Sequence, residues 1–140
     1  LGCVQKAGQA PIARVLEYGE AAPSRLGGTA LVNAPGNDGV STTAMVASGA
    51  VLLLFTTGRG TPLGTPAPTL KISSNAALAQ RKANWIDFDA GRLLSESADP
   101  RMLARELLQL VLDAASGRRR ARNEINGMRD IAIFKTGVTV

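Results

Sequence analysis

The chain has 140 residues, enough to bury one real core, and its 45% apolar and 19% charged residues make it a poor candidate for disorder. It holds no histidine, a single cysteine (Cys3) and only 4% aromatic residues. That composition excludes zinc fingers, disulfide frameworks and Ser-His or Cys-His catalytic pairs within the chain, and it disfavours aromatic base-stacking platforms. Sixteen Lys and Arg against eleven Asp and Glu give a net charge of +5, which favours anionic partners.

Residues 1–28 read as irregular, punctuated by Gly8, Pro11, Gly19, Pro23 and Gly27-Gly28, with one short apolar stretch from Pro11 to Leu16. Thr29 to Val32 predicts a short buried strand, ended by the loop Asn33-Ala34-Pro35-Gly36-Asn37-Asp38-Gly39. Val40 to Ser48, with small residues at 44, 47 and 48, predicts a helix packed closely on a sheet, with Gly49 as its stop. Val51 to Phe55 is apolar on both alternating faces, the pattern of a central strand covered by helices. A second glycine-rich loop, Thr56 to Gly64, follows it. Thr69 to Ser73 reads as the next strand, Asn75 to Lys82 as a short helix and Ile86 to Asp89 as a strand or strand end. The clearest helix is Pro100 to Ser116: Asp99 caps it, Pro100 suits its first position, Gly117 follows it, and Leu103, Leu107, Leu110, Val111 and Ala114 share one face. Ile131 to Phe134 is the last strand candidate.

Strands alternating with helices predict an α/β class, a Rossmann-like layered fold with a mainly parallel sheet flanked by helices. The expected organisation is one domain over 1–140, an irregular lead-in (1–28) before an α/β body (29–140). No apolar run approaches the roughly 20 residues of a membrane span, and no signal pattern opens the chain. A soluble, cytoplasmic domain without membrane partners is expected. The start at Leu1, without methionine, reads like the interior of a longer protein.

The chemistry is expected where a strand runs into a glycine-rich loop, since open α/β sheets gather ligands beyond the carboxyl ends of their strands. Both loops qualify. In the first, free N–H groups at the helix start would favour an anion; Asp38 is read first as a cap and second as a catalytic carboxylate, with Ser41, Thr42 and Thr43 as contacts or caps. In the second, Arg59 stands between Gly58 and Gly60, placed to grip a carboxylate in two-pronged fashion or to remain a solvated loop charge. Neither loop carries a dinucleotide or P-loop signature. Lys71 lies in mid-strand, where it serves as a ligand or base or snorkels from an edge. Asp87 and Asp89 share a face if extended, which offers at best half of a cation site or ion pairs to Arg81 or Lys82. The run Arg118-Arg119-Arg120 with Arg122 suits the end of the preceding helix; without aromatic interleaving, nucleic acid is not expected as a partner.

Several stretches resemble the C-terminal region of the altronate and galactarate dehydratase family of sugar-acid dehydratases. These are Asn33 to Thr43, the distinctive Phe55-Thr56-Thr57-Gly58-Arg59-Gly60-Thr61-Pro62-Leu63-Gly64, Pro68 to Asn75 and the opening Leu1 to Lys6. Trp85 to Gly91, Arg122-Asn123-Glu124 and Ile131 to Thr139 are nearest the altronate branch. The resemblance implies the C-terminal piece of a longer hydro-lyase that removes water from D-altronate to give 2-keto-3-deoxy-D-gluconate. A galactarate dehydratase, a sulfolactate sulfo-lyase relative, or a substrate-binding or oligomerisation module inactive on its own are the alternatives. It further implies a divalent metal, Fe2+ or Mn2+, whose ligands lie mainly outside this piece. Its partners would be a small anionic sugar acid, the N-terminal and central domains of the same chain, and a second copy in a homo-oligomer. Carried onto this sequence, Thr57, Gly58, Arg59, Gly60 and Thr61 would hold the substrate carboxylate, Ser41 and Thr42 its hydroxyls, and Asp38 and Lys71 are the catalytic candidates.

Overall fold

The computed structural model describes residues 8–25, 27–95, 97–135 and 137, so the opening Leu1 to Lys6, with Cys3, and the end of the Thr/Val tail lie outside the described residues. In chain order the elements are β1 (Ile12–Leu16), β2 (Thr29–Val32), α1 (Asp38–Ala47), β3 (Leu53–Thr57), β4 (Thr69–Ser73), α2 (Ala76–Arg81), β5 (Phe88–Asp89), a 3-10 turn (Ala90–Leu94), α3 (Pro100–Ala115) and α4 (Arg122–Ile125). Every strand pairing is parallel. The α/β class therefore holds, as two small parallel sheets flanked by helices: β1–β2, and β3–β4–β5 with β4 in the middle.

The two sheets are separated by a gap. An apolar groove of about 460 Å³, lined by Leu16, Val32, Met45, Leu53 and Leu54 among others, opens between β2 and β3. The connection between β1 and β2 is tied to the end of α1, where the Ala22 N–H donates to the Ser48 carbonyl at 2.8 Å.

The core sits on the larger sheet. In β4 successive side chains alternate between faces. Leu70 and Ile72 join Phe88, Leu103, Leu110, Ala114 and Ala121 in one apolar cluster beneath α3. Burying a leucine of this kind contributes about 1.5–3 kcal/mol. The other face of β4 carries Thr69, Lys71 and Ser73, all completely buried. All five β4 residues are thus buried, three of them polar.

Four expectations need adjustment. The central strand is β4, not Val51 to Phe55; β3 begins two residues later and lies at the sheet edge, which leaves Val51 82% and Leu54 50% exposed. The stretch read as irregular contains β1, whose parallel partner β2 supplies the backbone hydrogen bonds that its local sequence does not announce. Ile131 to Phe134 forms no strand. It runs along α1, where the Ala132 N–H donates to Thr43 Oγ1 at 3.1 Å and the Phe134 ring lies 5.4 Å from that of Tyr18. The cap of α1 is Asn37, whose Oδ1 accepts from the Val40 N–H at 3.1 Å, and Asp38 is the first helical residue. By contrast, α3 runs from Pro100 with Asp99 as its cap to Ala115, one residue short of the expected end, with Ser116 as its C-cap and Gly117 next in the left-handed region (φ 72°). Among the described residues no helix is long and apolar enough to cross a membrane.

Candidate functional site

The loop after β3 begins as a turn closed from within. Thr57 Oγ1 accepts the Gly60 N–H at 3.0 Å, and Gly60 takes φ 78°, which glycine adopts without strain. A side chain at Gly60 would also press on Leu78 Cδ1 and Lys82 Cδ, each 3.0 Å from where its Cβ would lie. From the strand beneath, the Ser74 N–H donates to the Thr57 carbonyl (3.0 Å), and Asn75 Nδ2 donates to the Gly58 carbonyl (3.1 Å). Asn75 works twice, since its Oδ1 also caps α2 by accepting the Leu78 N–H.

This loop borders an open depression of about 710 Å³ at the carboxyl end of β3, lined by Leu54 to Thr61 and by Asp38 from the start of α1. Six of the nine candidate residues therefore share one concavity: Thr57, Gly58, Arg59, Gly60, Thr61 and Asp38. Arg59 is exposed, and no hydrogen bond or ion pair engages its guanidinium among the described residues. It is a cation held on a fixed loop with its donors free, suited to a carboxylate.

Ser41 and Thr42 lie elsewhere. They line the apolar groove between the sheets, not the depression. Their hydroxyls donate to carbonyls one turn back in α1: Ser41 Oγ to Asp38 (3.3 Å) and Thr42 Oγ1 to Asp38 (2.7 Å). Thr43 does likewise to Gly39 (2.7 Å). The start of α1 is also less receptive to an anion than its glycine-rich lead suggests, because Asp38 puts a negative charge in the first turn and the Asn37 cap consumes one N–H.

Lys71 is fully buried and does not line the depression. Its ammonium donates to the Thr61 carbonyl at 2.8 Å, approaches Met128 Sδ at 3.7 Å and lies 5.9 Å from the Trp85 ring centroid. Burial pushes its pKa below the ordinary lysine value, partly offset by the negative charges of Asp87 and Asp130. Asp87 receives two backbone donors at 2.9 Å, the N–H of Lys71 on Oδ2 and that of Arg122 on Oδ1. Its pKa is nevertheless raised, because burial outweighs those bonds and the charges of Arg122 and Arg119. Asp89 accepts the Gly91 N–H and caps the 3-10 turn. Neither carboxylate pairs with Arg81 or Lys82, the partners expected from sequence.

Other supporting residues carry weak sequence signals. Asn123, completely buried, accepts the Thr69 N–H (2.8 Å) and donates to the carbonyls of Thr65, Ala67 and Met128. Asp130 exchanges two bonds with Gly64, one through its carboxylate (3.1 Å) and one through its N–H (3.0 Å). Lys82 stacks over Trp85 (4.5 Å to the centroid) and reaches the inner side of the loop at Gly60. The sequence draws attention to Lys82, to Trp85 to Gly91 and to Arg122-Asn123-Glu124, but not to these contacts, because long-range partners of this kind leave no local pattern. The arginine run behaves as a helix-end cluster: Arg118 Nε donates to Asp113 (2.8 Å) and Arg120 to the Glu124 carbonyl (3.0 Å).

No group of three or more His, Cys, Asp or Glu among the described residues could hold a metal ion, and the chain has no histidine. These residues do not make a complete site for a divalent metal.

Comparison with known proteins follows the same motifs. A family model described as D-galactarate/Altronate dehydratase, C-terminal, matches residues 1–139. The chain is 46% identical over all its 140 residues to an altronate dehydratase of Escherichia coli (strain K12) and 44% identical to one of Bacillus subtilis (strain 168), covering 28% of each. It is 33% identical over 136 residues to the galactarate dehydratase (L-threo-forming) of Escherichia coli (strain K12), covering 26% of that protein. The chain thus spans little more than a quarter of the length of these relatives.

Proposed function

From the premise that this chain belongs to the C-terminal family of the D-galactarate/altronate dehydratases, we propose that it supplies the carboxylate-gripping part of a sugar-acid hydro-lyase. The substrate is D-altronate or a closely similar hexonate, and the product of losing water is 2-keto-3-deoxy-D-gluconate. The observation that carries this reading is the exposed, unengaged Arg59 on a loop braced by Thr57, Ser74 and Asn75, at the carboxyl end of a parallel strand.

Dehydration of an aldonate requires a base for the proton beside the carboxylate, positive charge on the developing enediolate and an acid for the departing hydroxide. Arg59 meets the second need and orients the substrate through its carboxylate. Asp38, across the same depression, faces the sugar hydroxyls as an acceptor or as a proton-transfer group. A divalent cation, Fe2+ or Mn2+, would have to take most of its ligands from other parts of a longer protein. The net charge of +5 suits an anionic substrate. A cytoplasmic place, association with further domains of a longer chain and self-association belong to the same reading.

Thermal unfolding of the chain with D-altronate, galactarate or sulfolactate, each with and without Fe2+ or Mn2+, tests it, because a ligand of the folded state raises the midpoint by mass action. The expected result is a rise with D-altronate that disappears in Arg59→Ala. A cooperatively unfolding sample that responds to none of the three acids would overturn carboxylate recognition by this chain. A larger rise with galactarate would move the proposal to the dicarboxylate branch, with Lys82 beside Gly60 as the extra cation.

A further inference from the structure

We propose that Lys71 is a positioning residue: from the buried centre of the sheet its ammonium holds the Thr61 carbonyl, and so fixes the loop that presents Arg59. The inference builds on the reading of that loop as the carboxylate grip, and it gives Lys71 a different part from direct acid–base chemistry.

Lys71 stands in the middle of the central strand, on the polar face that also carries Thr69 and Ser73. A buried ammonium must find acceptors, since leaving it unpaired is costly. Here no carboxylate reaches it within ion-pair distance among the described residues. Its hydrogen-bond acceptors are the Thr61 carbonyl at 2.8 Å and the weak Met128 thioether at 3.7 Å. The backbone of Lys71 is fixed separately, by the Asp87 carboxylate on its N–H and the Asp87 N–H on its carbonyl. Base and tip are both tied, and the side chain becomes a strut between strand and loop.

What the strut reaches matters. The loop is braced at its start by Thr57, Ser74 and Asn75, and at its end by the two bonds between Gly64 and Asp130. Thr61 lies between these braces, and the lysine is the side chain that reaches its carbonyl. Without that bond the segment from Arg59 to Leu63 would keep, as hydrogen bonds among the described residues, only that of the Gly60 N–H to Thr57 Oγ1 and a 3.4 Å bond of the Leu63 N–H to Thr61 Oγ1. The amine is completely buried and is not among the groups lining the depression; it donates to the carbonyl of Thr61, a residue that is. A group placed there acts through the loop.

Hydrogen exchange at the Gly60 amide, which reports the turn, and the D-altronate-induced rise in melting temperature together test this in the 140-residue chain. Lys71→Met removes the donor and keeps the volume; it is expected to speed Gly60 exchange about tenfold and abolish the ligand response, while amides of Leu103 and Leu110 in α3 stay protected. Lys71→Gln is neutral and useless as an acid or base, yet it retains an N–H donor. It is expected to keep both Gly60 protection and the ligand response.

An unchanged Gly60 amide in Lys71→Met would overturn the proposal. So would a Lys71→Gln chain that keeps Gly60 protection and loses the response, because the amine would then be acting on the ligand itself. Should Lys71→Met not fold, Lys71→Gln decides alone: the two readouts moving together support the strut, and their separation refutes it. A wild-type chain that ignores D-altronate but loses Gly60 protection in Lys71→Met would retire the carboxylate reading and leave the strut standing.

Discussion

The two glycine-rich loops share one pattern in sequence and differ in what they leave available. The first, between β2 and α1, spends its polar groups on itself. Asn37 caps the helix, Ser41, Thr42 and Thr43 donate to carbonyls a turn back, and Thr43 also receives the Ala132 N–H. The second, after β3, is held from beneath by Lys71, Asn75 and Asp130 and leaves its arginine free. A loop whose own side chains build its structure has few left for a ligand. A loop braced by distant residues keeps its side chains free for one, which is why Arg59 rather than Ser41 or Thr42 is the stronger candidate for the proposed carboxylate contact.

The sharpest way to break this contrast is to strike the distant brace. A side chain at Gly64 would run into the carbonyl oxygen and carbon of Met128, backbone atoms that cannot swing aside. Gly64→Ala is therefore expected to destabilise the chain by about 3 kcal/mol, the upper range for overpacking a close contact. Urea unfolding measures it, and a loss below about 1 kcal/mol would mean that the C-terminal segment is not what fixes the second loop. In the first loop the equivalent device is local, so Asn37→Ala should cost about 1 kcal/mol, the ordinary value of a lost helix cap. A loss at Asn37 as large as that at Gly64 would erase the distinction.

How much of this was legible beforehand follows the same division between local and distant. The α3 helix could be read almost residue by residue, because Asp99, Pro100 and Gly117 act on the neighbouring backbone and the leucine spacing repeats within one element. The strand at Thr29 to Val32 was equally visible in its bounds, though it is not the buried strand expected, since none of its residues is buried and Leu31 is exposed; the glycine–arginine turn was visible too. Assigning the central strand failed because apolar content was taken for burial. β4 is central although its inner face carries Thr69, Lys71 and Ser73, and partners contributed from residues 61, 65, 87 and 123 make that polar face tolerable. The β1 pairing and the course of Ile131 to Phe134 depend on contacts made across the fold, which no periodicity encodes.

Proton linkage separates the loops again, since the brace of the second passes through Asp87, which fixes the backbone of Lys71. Burial raises the Asp87 pKa above its ordinary value of 3.8. Below that value the carboxyl is protonated in folded and unfolded chains alike. As pH climbs from there through the raised native value, the unfolded chain ionises first, and the stability that Asp87 contributes is lost. The advantage of wild type over Asp87→Asn, followed by urea unfolding from acid to neutral pH, should shrink as pH rises. An advantage that grew with pH would mean that the two N–H donors and the nearby arginines outweigh burial. Substitutions in the first loop, such as Asn37→Ala, should show no corresponding dependence.

The smallest effect on stability should accompany the largest on recognition. Arg59 is exposed and makes no hydrogen bond or ion pair among the described residues, so Arg59→Ala should change the unfolding free energy by less than about 0.5 kcal/mol, as for most surface substitutions. The same change removes the guanidinium fork and should eliminate the D-altronate response. Arg59→Lys should restore it only in part, because an ammonium keeps the charge but not the paired donors. Ser41→Ala is the control from the other loop: its hydroxyl bond to the Asp38 carbonyl is long, at 3.3 Å, and internal to the helix, so both stability and ligand response should stay near wild type. If Ser41→Ala weakened the response as much as Arg59→Ala, a ligand would be able to recruit groups that the free protein uses on itself. Internal hydrogen bonding would then be a poor guide to which loop binds.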